Sequence, residues 1–271
     1  MEQDARYEIL VGRDEELRQL RAAVRARESR LIWGPADAGK TTLIRAVLGE
    51  LSERERRSCI YWTGVANGKE LFSHFVGRLY QAGDSFVRGK VGAEGTTETN
   101  LRRWLNKQSS LRLRGILFTA LTQGDYRLFL DHFLPATRRT VQWMKEIKYR
   151  CKTPIYVCAR GYSQGEIGCA WSLYWNQNTR LHLAPLHEHD ARELLETCIR
   201  RFALASLDLE DFREEILHLS GRLPGAIVKM CQLAADARYH YGEHIKMKLV
   251  HVDYLMRSNP RAVPRVTNLQ S

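Results

Sequence analysis

The 271-residue chain has room for one large domain or two modest ones, and its 44% hydrophobic content suits a globular fold with a real core. No apolar run nears the ~18 residues that a membrane helix needs, and the acidic start Met1-Glu2-Gln3-Asp4 lacks the apolar segment of a signal peptide. A cytoplasmic protein without a membrane partner is therefore expected.

The formal charge of +11 is uneven: residues 101–160 hold 13 Lys/Arg against three Asp/Glu. A basic face of that kind suits nucleic acid or an acidic protein surface. It equally suits a solubilising surface, or arginines that serve a nucleotide and a neighbouring subunit. Cys59, Cys151, Cys158, Cys169, Cys198 and Cys231 are scattered without a C-x-x-C pair, which reads as buried reduced thiols rather than a metal site.

In chain order, Tyr7 to Arg13 reads as extended apolar residues ending in a Gly-Arg turn. Asp14 is a candidate N-cap for a helix to about Arg27, with Leu17, Leu20, Ala23 and Val24 on one stripe. Leu31-Ile32-Trp33 reads as a short buried strand. The next residues, Gly34-Pro35-Ala36-Asp37-Ala38-Gly39-Lys40-Thr41-Thr42, match the phosphate-binding pattern G-x-x-x-x-G-K-[ST] at every fixed position. Gly34 and Gly39 permit backbone angles that a side chain forbids, so the loop can wrap a phosphate chain with its N–H groups inward. Lys40 is placed for the β- and γ-phosphates and Thr41 for Mg²⁺. Thr41 to Leu51 reads as a helix with Leu43, Ile44, Val47 and Leu48 on one side. This strand–loop–helix order sets an anion at a helix N-terminus.

Cys59-Ile60-Tyr61-Trp62 reads as the next strand, followed by a helix from Lys69 to about Gln81. Residues 82–97, rich in Gly, Thr and Ser, read as a mobile loop. Leu101–Gln108 and Leu111–Leu121 read as helices with Arg102, Arg103, Lys107, Arg112 and Arg114 on their polar sides. Tyr126 to Asp131 is an apolar strand ending in a carboxylate, the form of a Walker B element, with Asp131 set to orient Mg²⁺ opposite Thr41. The following residue is His132. A neutral imidazole can accept a proton but lacks a fixed negative charge, so binding is expected and hydrolysis is slow or depends on a partner. A helix over Arg138–Arg150 and a strand over Pro154–Ala159 follow, the strand leading to Arg160 at the sheet edge where ligands bind. Leu181-His182-Leu183 reads as the last strand.

After Pro185 the pattern turns helical. Leu186, Ala191, Leu194, Leu195, Cys198 and Phe202 share a first period, and Leu209, Phe212, Ile216 and Leu219 a second. Ile227, Met230, Cys231 and Ala234 form a third after Gly221-Arg222-Leu223-Pro224. His187 and His189, at the first helix start, read as turn or capping residues because no further metal ligands are evident. Ile245 to Met256 shows no clean period, and Ser258 to Ser271 reads as a loose tail. The expected organisation is an α/β core over residues 1–184, a small helical lid over 185–244 and an extension over 245–271.

Taken in order, Val11-Gly12-Arg13, the loop 34–42, the strands to Asp131 and Arg160, and Gly221-Arg222-Leu223-Pro224 resemble the AAA+ superfamily. The likeness is greatest to the branch of STAND signalling, archaeal-type, transposition-helper and origin-recognition-type ATPases. The resemblance spans roughly residues 7–240. It implies a P-loop parallel sheet sandwiched by helices with a helical lid, and ATP with Mg²⁺ bound in a cleft between core and lid. By the same resemblance Val11 and Gly12 flank the adenine, Arg160 takes a sensor position, and Pro224 packs on adenine or ribose. His132 departs from the pattern, which usually carries an acid there. The chain leaves no evident room for a winged helix plus an effector, so a module acting on a separate partner is expected. Three functions remain open: a nucleotide-controlled switch with nucleotide-dependent homo-oligomerisation, a DNA-handling ATPase using the basic segment, and a hydrolysis-deficient nucleotide binder. Arg138, Arg139 and Arg200 are candidates to reach a neighbour's nucleotide.

Overall fold

The computed structural model describes residues 10–64, 68–92, 97–133 and 137–258. The chain forms two compact units.

The first, Asp14–Pro35 with Lys40–Leu183, is an α/β layer structure. Its elements run α1 (Asp14–Arg25), β1 (Arg30–Gly34), α2 (Lys40–Glu50), α3 (Glu53–Arg57), β2 (Cys59–Thr63), α4 (Gly68–Ala82), α5 (Ser85–Val91), α6 (Glu98–Lys107), α7 (Ser110–Gln123), β3 (Arg127–Asp131), α8 (Arg138–Tyr149), β4 (Ile155–Arg160), α9 (Gln164–Ile167) and β5 (Arg180–His182). The five strands pair in parallel in the order β2-β3-β4-β1-β5. The inner strands β3 and β4 are buried on both faces, so their middles read as continuous apolar runs rather than alternating, as parallel sheets favour. Leu31, Leu128, Leu130, Ile155, Val157 and Ala159 join one core with apolar residues of α4 to α8. The intervening residues take the other face: Phe129 stacks on Tyr156 at 4.6 Å, and the Tyr156 hydroxyl donates to the carbonyl of Ala23 in α1. This agrees with the fold class that the sequence implied.

Three local readings need correction. Residues 85–91, expected within a mobile loop, form α5. The Asp84 side chain accepts the Val87 N–H at 2.8 Å as an N-cap and also takes the Tyr126 hydroxyl at 2.6 Å, while Val87 and Val91 are buried. Glycine-rich composition hid a short capped helix; residues 93–96 of the same stretch lie outside the described residues. The cysteines are all free, yet Cys169 is exposed and Cys59 half-buried, so the buried reading holds only for the other four. The basic segment 101–160 is not a single face. Arg127 is buried, Arg114 pairs with Glu146, and Lys148 donates to the Leu173 carbonyl, whereas Arg102, Arg103, Lys107 and Arg112 stay exposed on α6 and α7.

The second unit gathers residues 10–13, Ala36–Gly39 and the chain from Ala184 onward. Its elements are α10 (Glu188–Arg201), α11 (Glu210–Leu219), α12 (Pro224–Ala234), a hairpin of β6 (His240–Tyr241) and β7 (His244–Ile245), and α13 (Met247–Ser258). Pro224 opens α12 at its first turn, where a missing N–H costs nothing, and Gly221 leaves α11 at φ +56. Leu194, Leu195, Cys198, Phe212, Ile216, Ile227, Met230 and Val250 form the core. The stretch without a clean period thus contains α13, which buries only Met247 and Val250. Residues 259–271, expected as a tail, and residues 7–9 lie outside the described residues.

Phe129→Ala removes a fully buried ring from the sheet face toward α1. It should lower the unfolding free energy by about 3–5 kcal/mol, measured by urea denaturation.

Candidate phosphate-loop and metal site

The loop after β1 runs through unusual backbone angles. Gly34 has φ +153 and Gly39 φ +90. A Cβ on Gly34 would stand 2.4 Å from the Leu183 carbonyl oxygen, so only glycine lets β1 leave beside the end of β5. Asp37 sits at φ +60, a conformation that Asp tolerates better than most side chains.

Within the α/β unit, Lys40 turns its ammonium onto the carbonyls of Gly34, at 3.0 Å, and Pro35. Thr41, in the first turn of α2, donates its hydroxyl to Asp131 Oδ2 at 2.8 Å. Asp131 ends β3 and is 2% exposed. Its Oδ2 also accepts the Tyr61 hydroxyl at 2.5 Å, and its Oδ1 accepts the His132 N–H at 2.8 Å. Burial alone would raise the Asp131 pKa; the bonds from His132, Tyr61 and Thr41 overcome it and bring the group down to about 2. The same bonding raises His132, chiefly through its hydrogen bond to Asp131, while burial raises the Tyr61 hydroxyl most and the Asp131 carboxylate adds to it. His132 itself has φ +53 and an exposed imidazole, its Nδ1 3.4 Å from Asp131 Oδ2. Arg160, exposed, ends β4 in register with Gly34, so it stands beside the first loop residue.

The remaining loop residues belong to the helical unit. Asp37 carries three bonds there: its Oδ1 takes the Lys229 ammonium at 2.7 Å, its Oδ2 takes the Tyr254 hydroxyl at 2.9 Å, and its carbonyl takes the Gly225 N–H at 2.8 Å. Arg13, buried, donates its guanidinium to the carbonyls of Ala38, at 3.3 Å, and Ala184. Pro224 is buried, its Cγ 3.5 Å from where a Cβ of Gly39 would lie. Val11 packs on the helical core, and Gly12, at φ +64, passes so close to α10 that a Cβ would meet Asp190 at 2.5 Å.

The structure therefore brings Thr41 and Asp131 together and sets Lys40 at the start of α2, His132 just after β3 and Arg160 at the end of β4. Sequence reasoning missed Tyr61, although a period of two places it on the same sheet face as Asp131 once its register with Phe129 is known. It also missed Lys229 and Tyr254, which are 192 and 217 residues from Asp37 and carry no local signal. His187 holds the N-cap position of α10 without a side-chain cap bond, which corrects its expected role. The ligand atoms of His189, Asp190 and Glu193 lie within 4.8 Å of one another, a grouping that their spacing of one and four residues already offered on a helix and that the sequence reading passed over.

Two hard hydroxyl and carboxylate oxygens beside a lysine and a glycine-bounded loop form a donor set that suits Mg²⁺ with phosphate. No family model matches the chain, and no curated protein matches it in sequence. Solved structures do match. A Walker-type ATPase of Pyrococcus abyssi superposes with a TM-score of 0.54 at 17% identity, over 92% of this chain and 76% of that one. The ORC1 protein of Aeropyrum pernix, solved in complex with DNA, gives 0.57 at 17% identity, over 95% and 70%. A STAND protein with a tetratricopeptide repeat sensor from Pyrococcus horikoshii gives 0.51 at 17%, over 92% of this chain and 33% of that one. The chain shares the P-loop type of α/β fold with these structures, together with a helical domain. Among the described residues, no helix is long and apolar enough to cross a membrane.

Asp131 titrates lower folded than unfolded, so its contribution is whole above the unfolded value of 3.8 and is lost as pH falls toward about 2. That loss amounts to about 2 kcal/mol. Urea titrations between pH 6 and pH 3 should show this acid limb in the parent and a flatter one in Asp131→Asn.

Proposed function

We propose that the chain is an ATP–Mg²⁺-binding ATPase module that acts as a nucleotide-controlled switch, with slow or partner-stimulated hydrolysis. The observation that carries this reading is the 2.8 Å bond from Thr41 to the buried Asp131, made by the last fixed position of the phosphate-loop pattern and the end of β3. Those two oxygens would hold Mg²⁺, directly or through water. The ion, when bound, would neutralise charge on the β- and γ-phosphates. Lys40 would leave the loop carbonyls for the phosphates, and the N–H groups of Ala36 to Thr42 would supply further donors at the start of α2. Arg160 would face the outer phosphate from the end of β4. Val11, Gly12 and Pro224 would serve the adenine and ribose. The similar folds of known ATPases support this reading, and 13–17% identity leaves the chemistry to this chain's own residues.

Slow hydrolysis follows from His132. A water molecule attacking the γ-phosphate needs a group that takes or orients its proton. The position after Asp131 offers an imidazole bonded to Asp131 rather than a second carboxylate. Lys40→Ala should reduce Mg²⁺-dependent ATP binding by at least a hundredfold, about 2.7 kcal/mol of lost binding, in isothermal titration calorimetry. Unchanged binding would end the assignment.

A second reading, DNA handling, draws on the exposed Arg102, Arg103, Lys107 and Arg112. Contacts of those four cations with phosphates would release counterions, giving a slope of log affinity on log salt near −3.6 for duplex DNA, that is about −0.9 per phosphate contact. Fluorescence anisotropy from 50 to 200 mM salt measures it, and an absence of binding at the low end removes this reading.

A further inference from the structure

We propose that Lys229 is a positioning residue of the nucleotide site, acting by cancelling the negative charge that Asp37 places inside an anion-binding loop. The inference rests on the nucleotide reading above. A phosphate loop attracts anions through inward N–H groups, and a carboxylate within it opposes the same ligand. Asp37 is such a carboxylate, third of the four variable positions between Gly34 and Gly39. Each of its oxygens has a donor from outside the loop: Lys229 on Oδ1 at 2.7 Å and Tyr254 on Oδ2 at 2.9 Å. The Asp37 side chain is 13% exposed, so its charge is only partly screened by water.

The arrangement is built from the start of α12. The Gly225 N–H donates to the Asp37 carbonyl at 2.8 Å, and a Cβ on Gly225 would come within 2.9 Å of the Asp37 Cβ. Only glycine admits that approach. Lys229 follows four residues later, on the same face of the helix. Contact at Gly225 therefore delivers the ammonium to the carboxylate. Tyr254 brings α13 to the other oxygen. The two donors also brace the side chain of Asp37, whose backbone sits at φ +60.

A simple brace and a charge-cancelling role differ in one respect. Deleting a brace harms whether or not the carboxylate is charged, whereas deleting a counter-charge harms only while Asp37 keeps its charge. Mg²⁺–ATP titrations on the full chain by calorimetry, at 50 mM salt, would compare the parent, Lys229→Ala, Lys229→Arg, Asp37→Asn and the Lys229→Ala/Asp37→Asn double variant. Lys229→Ala should weaken binding about tenfold, while Asp37→Asn should strengthen it severalfold because an ammonium then stands uncancelled at the loop. Lys229→Arg should keep parent affinity, and the double variant should return to within about twofold of the parent. Parent-like binding by Lys229→Ala, a double variant as weak as Lys229→Ala, or weaker binding by Asp37→Asn would each overturn the proposal. Asp37→Asn decides the matter alone if Lys229→Ala does not fold. A parent that takes up no ATP, like Lys40→Ala, would instead overturn the nucleotide reading, and this one with it.

Discussion

A phosphate loop must turn its amides inward while leaving one strand and entering a helix, and this demand fixes much of the molecule. The chain meets it with three left-handed or extended-positive positions, Gly34, Asp37 and Gly39. Gly34 is pinned because β1 exits against the Leu183 carbonyl. That contact exists because β5 pairs with β1 and places Leu183 N–H on Trp33 O at 2.8 Å. The strand order β2-β3-β4-β1-β5 then sets the carboxyl ends of β3 and β4 beside the same loop. Parallel pairing thus gathers the carboxyl ends of all five strands on one edge of the sheet.

The charges are arranged with opposite logic at the two carboxylates. Asp131 is buried at the end of a strand and kept ionised by the exposed His132 imidazole together with hydroxyl and amide donors, with no lysine or arginine paired to it among the described residues. Donors of that kind can rearrange around a divalent ion without leaving a buried charge of their own. Asp37 lies in the loop itself and is matched by a full positive charge. The buried strand-end carboxylate and the loop carboxylate therefore carry different partners. The distinction would be lost in a description by net charge, where both count as −1.

The sheet was legible because parallel strands are short apolar runs between helices, and because the phosphate loop anchors their order in the chain. Lys40 and Thr41 stood out by the spacing of the loop pattern and Asp131 by ending an apolar strand, and the structure bonds Thr41 to Asp131. What remained hidden is of two kinds. Helix α5 was concealed by glycines at its borders, where composition suggests a loop but the Asp84 cap and buried Val87 and Val91 decide otherwise. Tyr61, Lys229, Tyr254 and the inward turn of Arg13 depend on register and on long-range packing, which no window of sequence encodes.

The placement of Ala36–Gly39 with the helical unit gives the last step. In sequence, the loop belongs to the strand before it and the helix after it. In contacts, its middle is held by Arg13, Gly225, Lys229 and Tyr254, residues that precede α1 or follow β5. Chain proximity to β1 and α2 therefore does not decide what braces positions 36–39; partners up to 217 residues away do.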